Sequence, residues 1–189
     1  LPLVADARLV LEAWADALSD YQVSAPYAEQ IRAGKAAWET EVDRLYHLGT
    51  TGLPAQSEVI GAINEFMQPR DVLINAAGSA PGDLHKLFRS REHKSYHMEY
   101  GNSTMGYEIP ASLGVKMADP SREVYALVGD GTYLMMPTEI VTTIQEGCKV
   151  NIILVNNHGY ASIGSLSSSL GTSGFGTSYR MRDPRTGKL

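Results

Sequence analysis

Val124-Tyr125-Ala126-Leu127-Val128-Gly129-Asp130-Gly131 is an apolar run, rich in β-branched and aromatic residues, that stops abruptly at a Gly-Asp-Gly tripeptide. Such a run reads as a buried strand of a parallel sheet. Beyond it, Pro137 suits a first helical turn and Glu139 its positive end, while Ile140, Val141 and Ile144 recur at helical spacing and Gly147 stands at a C-cap. A second strand, Val150-Asn151-Ile152-Ile153-Leu154-Val155, ends in the polar turn Asn156-Asn157-His158-Gly159. Strand, helix and strand make a βαβ unit, and the predicted fold is α/β, a parallel sheet flanked by helices.

Ligands of βαβ units bind beyond the carboxyl ends of the strands, so Asp130 and Asn157 are expected to converge although a helix and a strand separate them. One carboxylate and one amide oxygen then face the same crevice. A hard divalent cation such as Mg2+ takes oxygen ligands in octahedral order and commonly bridges a protein carboxylate to phosphate oxygens. Gly131 leaves room for phosphate to approach backbone amides, and the helix start beyond it offers a positive dipole end. Asp-Gly alone is ordinary turn chemistry. Two such turns at matching ends of adjacent strands point to a metal-diphosphate site.

Two further segments carry the same punctuation. Asp71-Val72-Leu73-Ile74-Asn75-Ala76-Ala77-Gly78-Ser79 reads as a strand and glycine turn leading into the helix start Ala80-Pro81-Gly82-Asp83-Leu84-His85-Lys86. Gly78 and Ser79 fit either a satisfied turn or another wall of the crevice. Gly101-Asn102-Ser103-Thr104-Met105-Gly106-Tyr107-Glu108-Ile109-Pro110-Ala111 has glycines that permit close backbone approach, then enters a helix. Met105 in that block is a core methionine or a wedge under a ligand.

The Gly129-Asp130-Gly131 to Asn156-Asn157 layout resembles the thiamine diphosphate-dependent enzymes. The resemblance implies that Asp130 and Asn157 ligate Mg2+ through side chains and Gly159 through its carbonyl oxygen. It implies that Gly129, Gly131 and Thr132, with Gly78, Ser79 and Tyr160, contact thiamine diphosphate. Ser103 would offer a carbonyl oxygen to the aminopyrimidine amino group, and Met105 would force the bent cofactor shape.

Within the family, Asn75-Ala76-Ala77-Gly78-Ser79, Pro81-Gly82-Asp83-Leu84-His85-Lys86-Leu87, Gly129 to Met136, Asn156 to Gly164 and Gly174-Phe175-Gly176-Thr177 are similar to an inositol-catabolism branch. Its members hydrolyse a small cyclic dione by C–C bond cleavage, giving an acyclic deoxy-sugar acid. An acetolactate synthase-like enzyme and a noncatalytic diphosphate-binding module stand as alternatives.

By the same resemblance, residues 1–20 are the tail of a central domain, with a last strand at Leu1–Asp6 and a last helix from Asp6 to Trp14. Residues 21–54 form a helical connector, and residues 55–189 a diphosphate-binding domain lacking its C-terminal end. The chain is expected to be a fragment of a homo-oligomeric enzyme, inactive alone. The glutamate that activates the cofactor would lie in a domain not represented here, so no catalytic residue is assigned.

The 189 residues are 43% hydrophobic with a formal net charge of -5 and no basic run, which argues against nucleic acid or an anionic membrane as the partner. No apolar stretch approaches membrane-spanning length. The single Cys148 excludes an internal disulfide and a cysteine metal site, and fits a reducing cytoplasm. Tyr27 to Tyr46 reads as a helix, Gly49 to Pro54 as a break, and Ser57 as the N-cap of a helix carrying Val59, Ile60, Ile63 and Phe66. Among the histidines, His85 is the substrate-side candidate and His158 is expected to point away from the metal turn. Gly164 to Gly176 has the composition of an ordinary flexible linker, while its place just after the metal turn suggests a mobile active-site loop.

Overall fold

A computed structural model describes residues 2–189. The chain divides into two compact units between Arg44 and Leu45. In the first, α1 (Ala7–Ala17) starts where expected, because Asp6 Oδ1 accepts the Leu9 amide at 3.1 Å and satisfies one of the helix's free donors. Ion pairs Arg8–Glu12 and Arg32–Glu29 run along the exposed surfaces of α1 and of α2 (Ala25–Tyr46). The strand expected before α1 is absent, since Pro2–Asp6 has no pairing partner, and Leu1 lies outside the described residues.

The second unit is built on four parallel strands, β1 (Val72–Asn75), β2 (Tyr96–Met98), β3 (Val124–Gly129) and β4 (Asn151–Val155), in the order β2-β1-β3-β4. All of β1 and most of β3 are buried, as their uninterrupted apolar runs require for a sheet covered on both faces. Val72, Ile74 and Val124 form a core onto which Tyr107, Ala111 and Val115 pack. The last two belong to α5 (Glu108–Ala118). Lys116 closes the connection from α5 to β3 by donating to the carbonyls of Pro120 at 3.0 Å and Arg122 at 2.6 Å.

Strand order places the site. From β1 the chain steps outward through α4 (Ala80–Leu87) to β2, then returns past β1 to β3 and continues to β4. The direction of winding therefore reverses between β1 and β3, and loops leaving their carboxyl ends part to open a crevice.

Three local expectations are corrected. The helix expected with Pro137 in its first turn is α7 (Glu139–Gln145), but Pro137 lies just outside it, before the N-cap Thr138, and a separate single turn, α6 (Asp130–Tyr133), precedes it. Only four residues contribute to the dipole next to Asp130. At its far end α7 stops as expected at Gly147, whose φ of 62° lets Cys148 donate to the Thr143 carbonyl at 2.9 Å.

Secondly, Ser57 lies inside α3 (Gln56–Phe66), and Ala55 is the N-cap. Ala55 has no capping oxygen, so the function passes to Glu58. Its carboxylate accepts the amides of Ala55 at 2.8 Å, Gly49 at 2.8 Å and Thr50 at 3.2 Å, as well as the Thr50 hydroxyl. Thirdly, the segment expected as a loop from Gly164 is helical through α8 (Ala161–Ser169), and only the part beyond Ser169 is irregular.

The Thr50 hydroxyl, followed by the backbone amides, holds the Glu58 carboxyl down to about 2 from an ordinary 4.5. A lowered acid constant means that the folded state favours the ionised form. The tie is therefore complete above about 4.5 and is lost as the pH falls toward about 2. Amide exchange at Gly49, Thr50 and Ala55 is expected to accelerate across that window, and Glu58→Gln to show the fast rates at neutral pH. Slow, pH-independent protection in the variant would exclude the tie.

Candidate active site

A cleft of about 220 Å³ opens at the carboxyl ends of the sheet. Its walls come from all four strand ends: Gly78 and Ser79 after β1, Ser103 and Met105 after β2, Gly129, Asp130, Gly131 and Thr132 at β3, and Asn157, Gly159 and Tyr160 after β4. The structure thus brings every expected ligand-binding residue to one cavity. Ala77, Ala80, Val155, Ala161, Ser162, Ile163 and Gln56 complete the lining.

The β3–β4 register aligns Gly129 with Val155, so Asp130 and the Asn156–Gly159 turn leave the sheet side by side. Asp130 is buried, and its Oδ2 accepts the Gly159 amide at 3.0 Å. One end of the Asn157 amide lies 3.1 Å from Asp130 Oδ1 and 2.9 Å from the Gly159 carbonyl oxygen. With nitrogen turned inward, Asn157 donates to both. With oxygen turned inward, three oxygens of three different chemical kinds face one point, a donor set suited to a hard cation.

Two glycines are required by their surroundings. A Cβ on Gly131 would stand 2.8 Å from two ring carbons of Tyr160, so the absence of a side chain lets that ring close the cleft. At Gly159, φ is 150° and a Cβ would meet the Thr177 carbonyl oxygen at 2.4 Å. That contact exists because residues 177–179 strap the turn: Tyr160 donates to the Thr177 carbonyl at 2.8 Å, Tyr179 to the His158 carbonyl at 3.1 Å, and the Tyr179 ring stands edge-on to Tyr160.

The loop after β2 is tied by Glu99, whose carboxylate accepts the amides of Thr104 at 2.6 Å and Asn102 at 3.0 Å. These bonds, the Thr104 amide foremost, hold its carboxyl below the usual range. The tie supports Ser103 in a left-handed conformation, φ 49°. His158, with φ 63°, is similarly strained. Among the described residues three non-glycine residues have positive φ, and two of them sit on the loops that form this cleft, where strain accompanies function more often than in ordinary turns.

Sequence reasoning missed Gln56 and Glu108. Gln56 accepts from the Ser79 hydroxyl at 3.0 Å and donates to Asp83 Oδ2 at 2.5 Å, fixing the turn after β1 from a helix 23 residues earlier. Glu108 is wholly buried and touches two walls of the cleft. Neither belongs to a glycine turn, and so no local signal marked them. His85 does not line the cleft; it is exposed and stacks edge-on against Tyr96 and Tyr100. His158 is exposed and forms no part of the oxygen cluster.

Residues 76–186 match the thiamine pyrophosphate enzyme, C-terminal TPP binding domain, and the chain belongs to that family. Among curated relatives, the 3D-(3,5/4)-trihydroxycyclohexane-1,2-dione hydrolase of Clostridium tetani (strain Massachusetts / E88) is 38% identical over 213 residues. Proteins of the same name from Bacillus thuringiensis (strain Al Hakam) and Bacillus cereus (strain AH820) are 39% identical. Each alignment takes in 100% of this chain and 33% of the relative, so the chain spans about a third of the length of these proteins. Among the described residues, no helix is long and apolar enough to cross a membrane.

Gly159→Ala is expected to displace the Thr177–Tyr179 strap, with a loss of about 2 kcal/mol from backbone strain and overlap. Thermal unfolding measures that loss, and faster amide exchange at Tyr160 and Tyr179 locates it. Wild-type stability and protection in the variant would mean that the strap does not hold the turn.

Proposed function

We propose that this cleft binds thiamine diphosphate through Mg2+ and forms part of the active site of a hydrolase that opens a polyhydroxylated cyclic dione by C–C bond cleavage. The observation that carries the reading is the convergence of Asp130, Asn157 and Gly159. Neighbouring ligands of an octahedral ion with bonds of roughly 2.1 Å lie about 3 Å apart. The Asn157 amide meets Asp130 Oδ1 and the Gly159 oxygen at 3.1 and 2.9 Å, close to that spacing. In this reading those three residues would hold Mg2+, which would supply positive charge for the diphosphate.

When bound, the cofactor would supply a nucleophilic carbon suited to cleavage of a C–C bond beside a ketone. The chain's own groups bind and orient. Gly129, Gly131 and Thr132 at the carboxyl end of β3, with Gly78 and Ser79 after β1, would offer backbone and hydroxyl donors to the diphosphate. Ser103 and Met105 hold the ring end, the first through its carbonyl oxygen and the second as an apolar support. Tyr160 covers Gly131 and excludes water from the metal side. The names of the relatives favour a cyclic dione over pyruvate, and homo-oligomeric assembly in the cytoplasm belongs to the same proposal.

Calorimetric titration of the chain with thiamine diphosphate is expected to show binding in Mg2+ that disappears in chelator, and Asp130→Ala is expected to abolish it. Binding that ignores chelator and survives Asp130→Ala would defeat the metal assignment. An absence of binding by the wild-type chain in Mg2+ would count against the reading as a whole.

A further inference from the structure

Glu108 is the one wholly buried carboxyl group of the second unit, and nothing in the proposed chemistry uses it. It opens α5 directly after the Ser103–Gly106 loop. Its Oε1 accepts the Ala77 amide at 3.2 Å, in the turn after β1. Its Oε2 lies 3.5 Å from the Thr132 hydroxyl, on α6. Thr132 Oγ1 meanwhile accepts the Gly106 amide at 2.8 Å, which leaves the hydroxyl proton for the carboxylate. One side chain therefore joins three segments, from β1, β2 and β3, that the sheet itself does not connect beyond its strands.

A carboxyl group is an expensive way to fill this space. Burial pushes its pKa up, and the hydrogen bonds from the chain oppose that only in part. Leucine or methionine would pack under α5 without desolvating a charge, but neither could accept the Ala77 amide. Ala77 is itself buried, so an unmet donor there would push the turn outward. The two groups that Glu108 holds, Ala77 and Thr132, both line the cleft, the first after β1 and the second after β3.

We propose that Glu108 is a positioning residue: it locks the Ala77–Ser79 wall to the Asp130–Thr132 wall and so sets the spacing at which a bound diphosphate meets both. The inference rests on the reading that the cleft takes thiamine diphosphate. Glu108 touches no ligand and acts through Ala77, Thr132 and, by way of Thr132, Gly106.

The test compares Glu108→Ala, Glu108→Gln and Leu113→Ala, the last a buried α5 residue outside the cleft lining. Two readouts are taken, residue-resolved amide exchange without cofactor and calorimetric affinity for thiamine diphosphate in Mg2+. Glu108→Ala is expected to speed exchange at Ala77 and Gly106 relative to Leu73 and Ala126, and to weaken binding by about ten-fold or more. Glu108→Gln keeps an acceptor for the Ala77 amide and is expected to restore most of both. Leu113→Ala should lower the melting temperature and leave affinity unchanged.

If Glu108→Ala loses stability as Leu113→Ala does but binds like the wild type, Glu108 is a packing group and the proposal is wrong. Failure of Gln to rescue also overturns it. Where Glu108→Ala does not fold, Thr132→Val removes the hydroxyl that donates to Glu108, and unchanged exchange at Ala77 in that variant rejects the clamp. A wild-type chain that binds no cofactor overturns the functional reading, while the exchange data still decide whether Glu108 holds the two walls together.

Discussion

The hydrogen-bonded register between β3 and β4 is the constraint on which the rest of the site depends. By aligning Gly129 with Val155 it makes the two chain exits neighbours, and Asp130 closes the gap by accepting the Gly159 amide across 29 residues of sequence. A one-residue slip would turn alternate side chains to the opposite face and move the carboxylate away from the Asn157 amide. Register in turn rests on burial. Val124, Ala126, Leu127 and Val128 are almost fully enclosed, so any other alignment would expose apolar surface worth roughly 1.5–3 kcal/mol for each large side chain.

Around that pair, rigidity is assembled from outside the strands. Residues 177–179 strap the Asn157 turn from behind, Glu99 gathers the loop that presents Ser103 and Met105, and Gln56 anchors Ser79. Each tie puts a polar side chain or a backbone strand-like contact against a loop that has no regular structure of its own. Loops at the ends of parallel strands carry most of the unsatisfied backbone groups of such a sheet, and these ties satisfy them while leaving the cleft open. The strained conformations of Ser103 and His158 are tolerated because their neighbours fix them from both sides.

The family membership and the shared names of the relatives agree with this geometry without adding to it. The relatives are about three times the length of this chain, since the aligned part is 33% of each. Within the chain itself, the chemistry available is that of binding and orientation: a buried carboxylate beside an amide and a carbonyl, glycine-lined walls, and an aromatic cover.

What the sequence by itself determined was local. Apolar runs that end in glycine marked β1, β3 and β4, and the residues following the strand ends, from Gly78 to Tyr160, are the ones the structure gathers into the cleft. Those signals are legible because strand burial and glycine turns are written in adjacent residues. Tertiary structure alone decided the strand order, the separate turn α6 ahead of α7, the helix α8 where a loop was expected, and the parts played by Gln56, Glu108 and Thr177. Ser79 to Gln56 spans 23 residues and Ala77 to Glu108 spans 31. A hydrogen bond over such a separation leaves no periodic or local trace, because it exists only after the sheet has brought its two ends together.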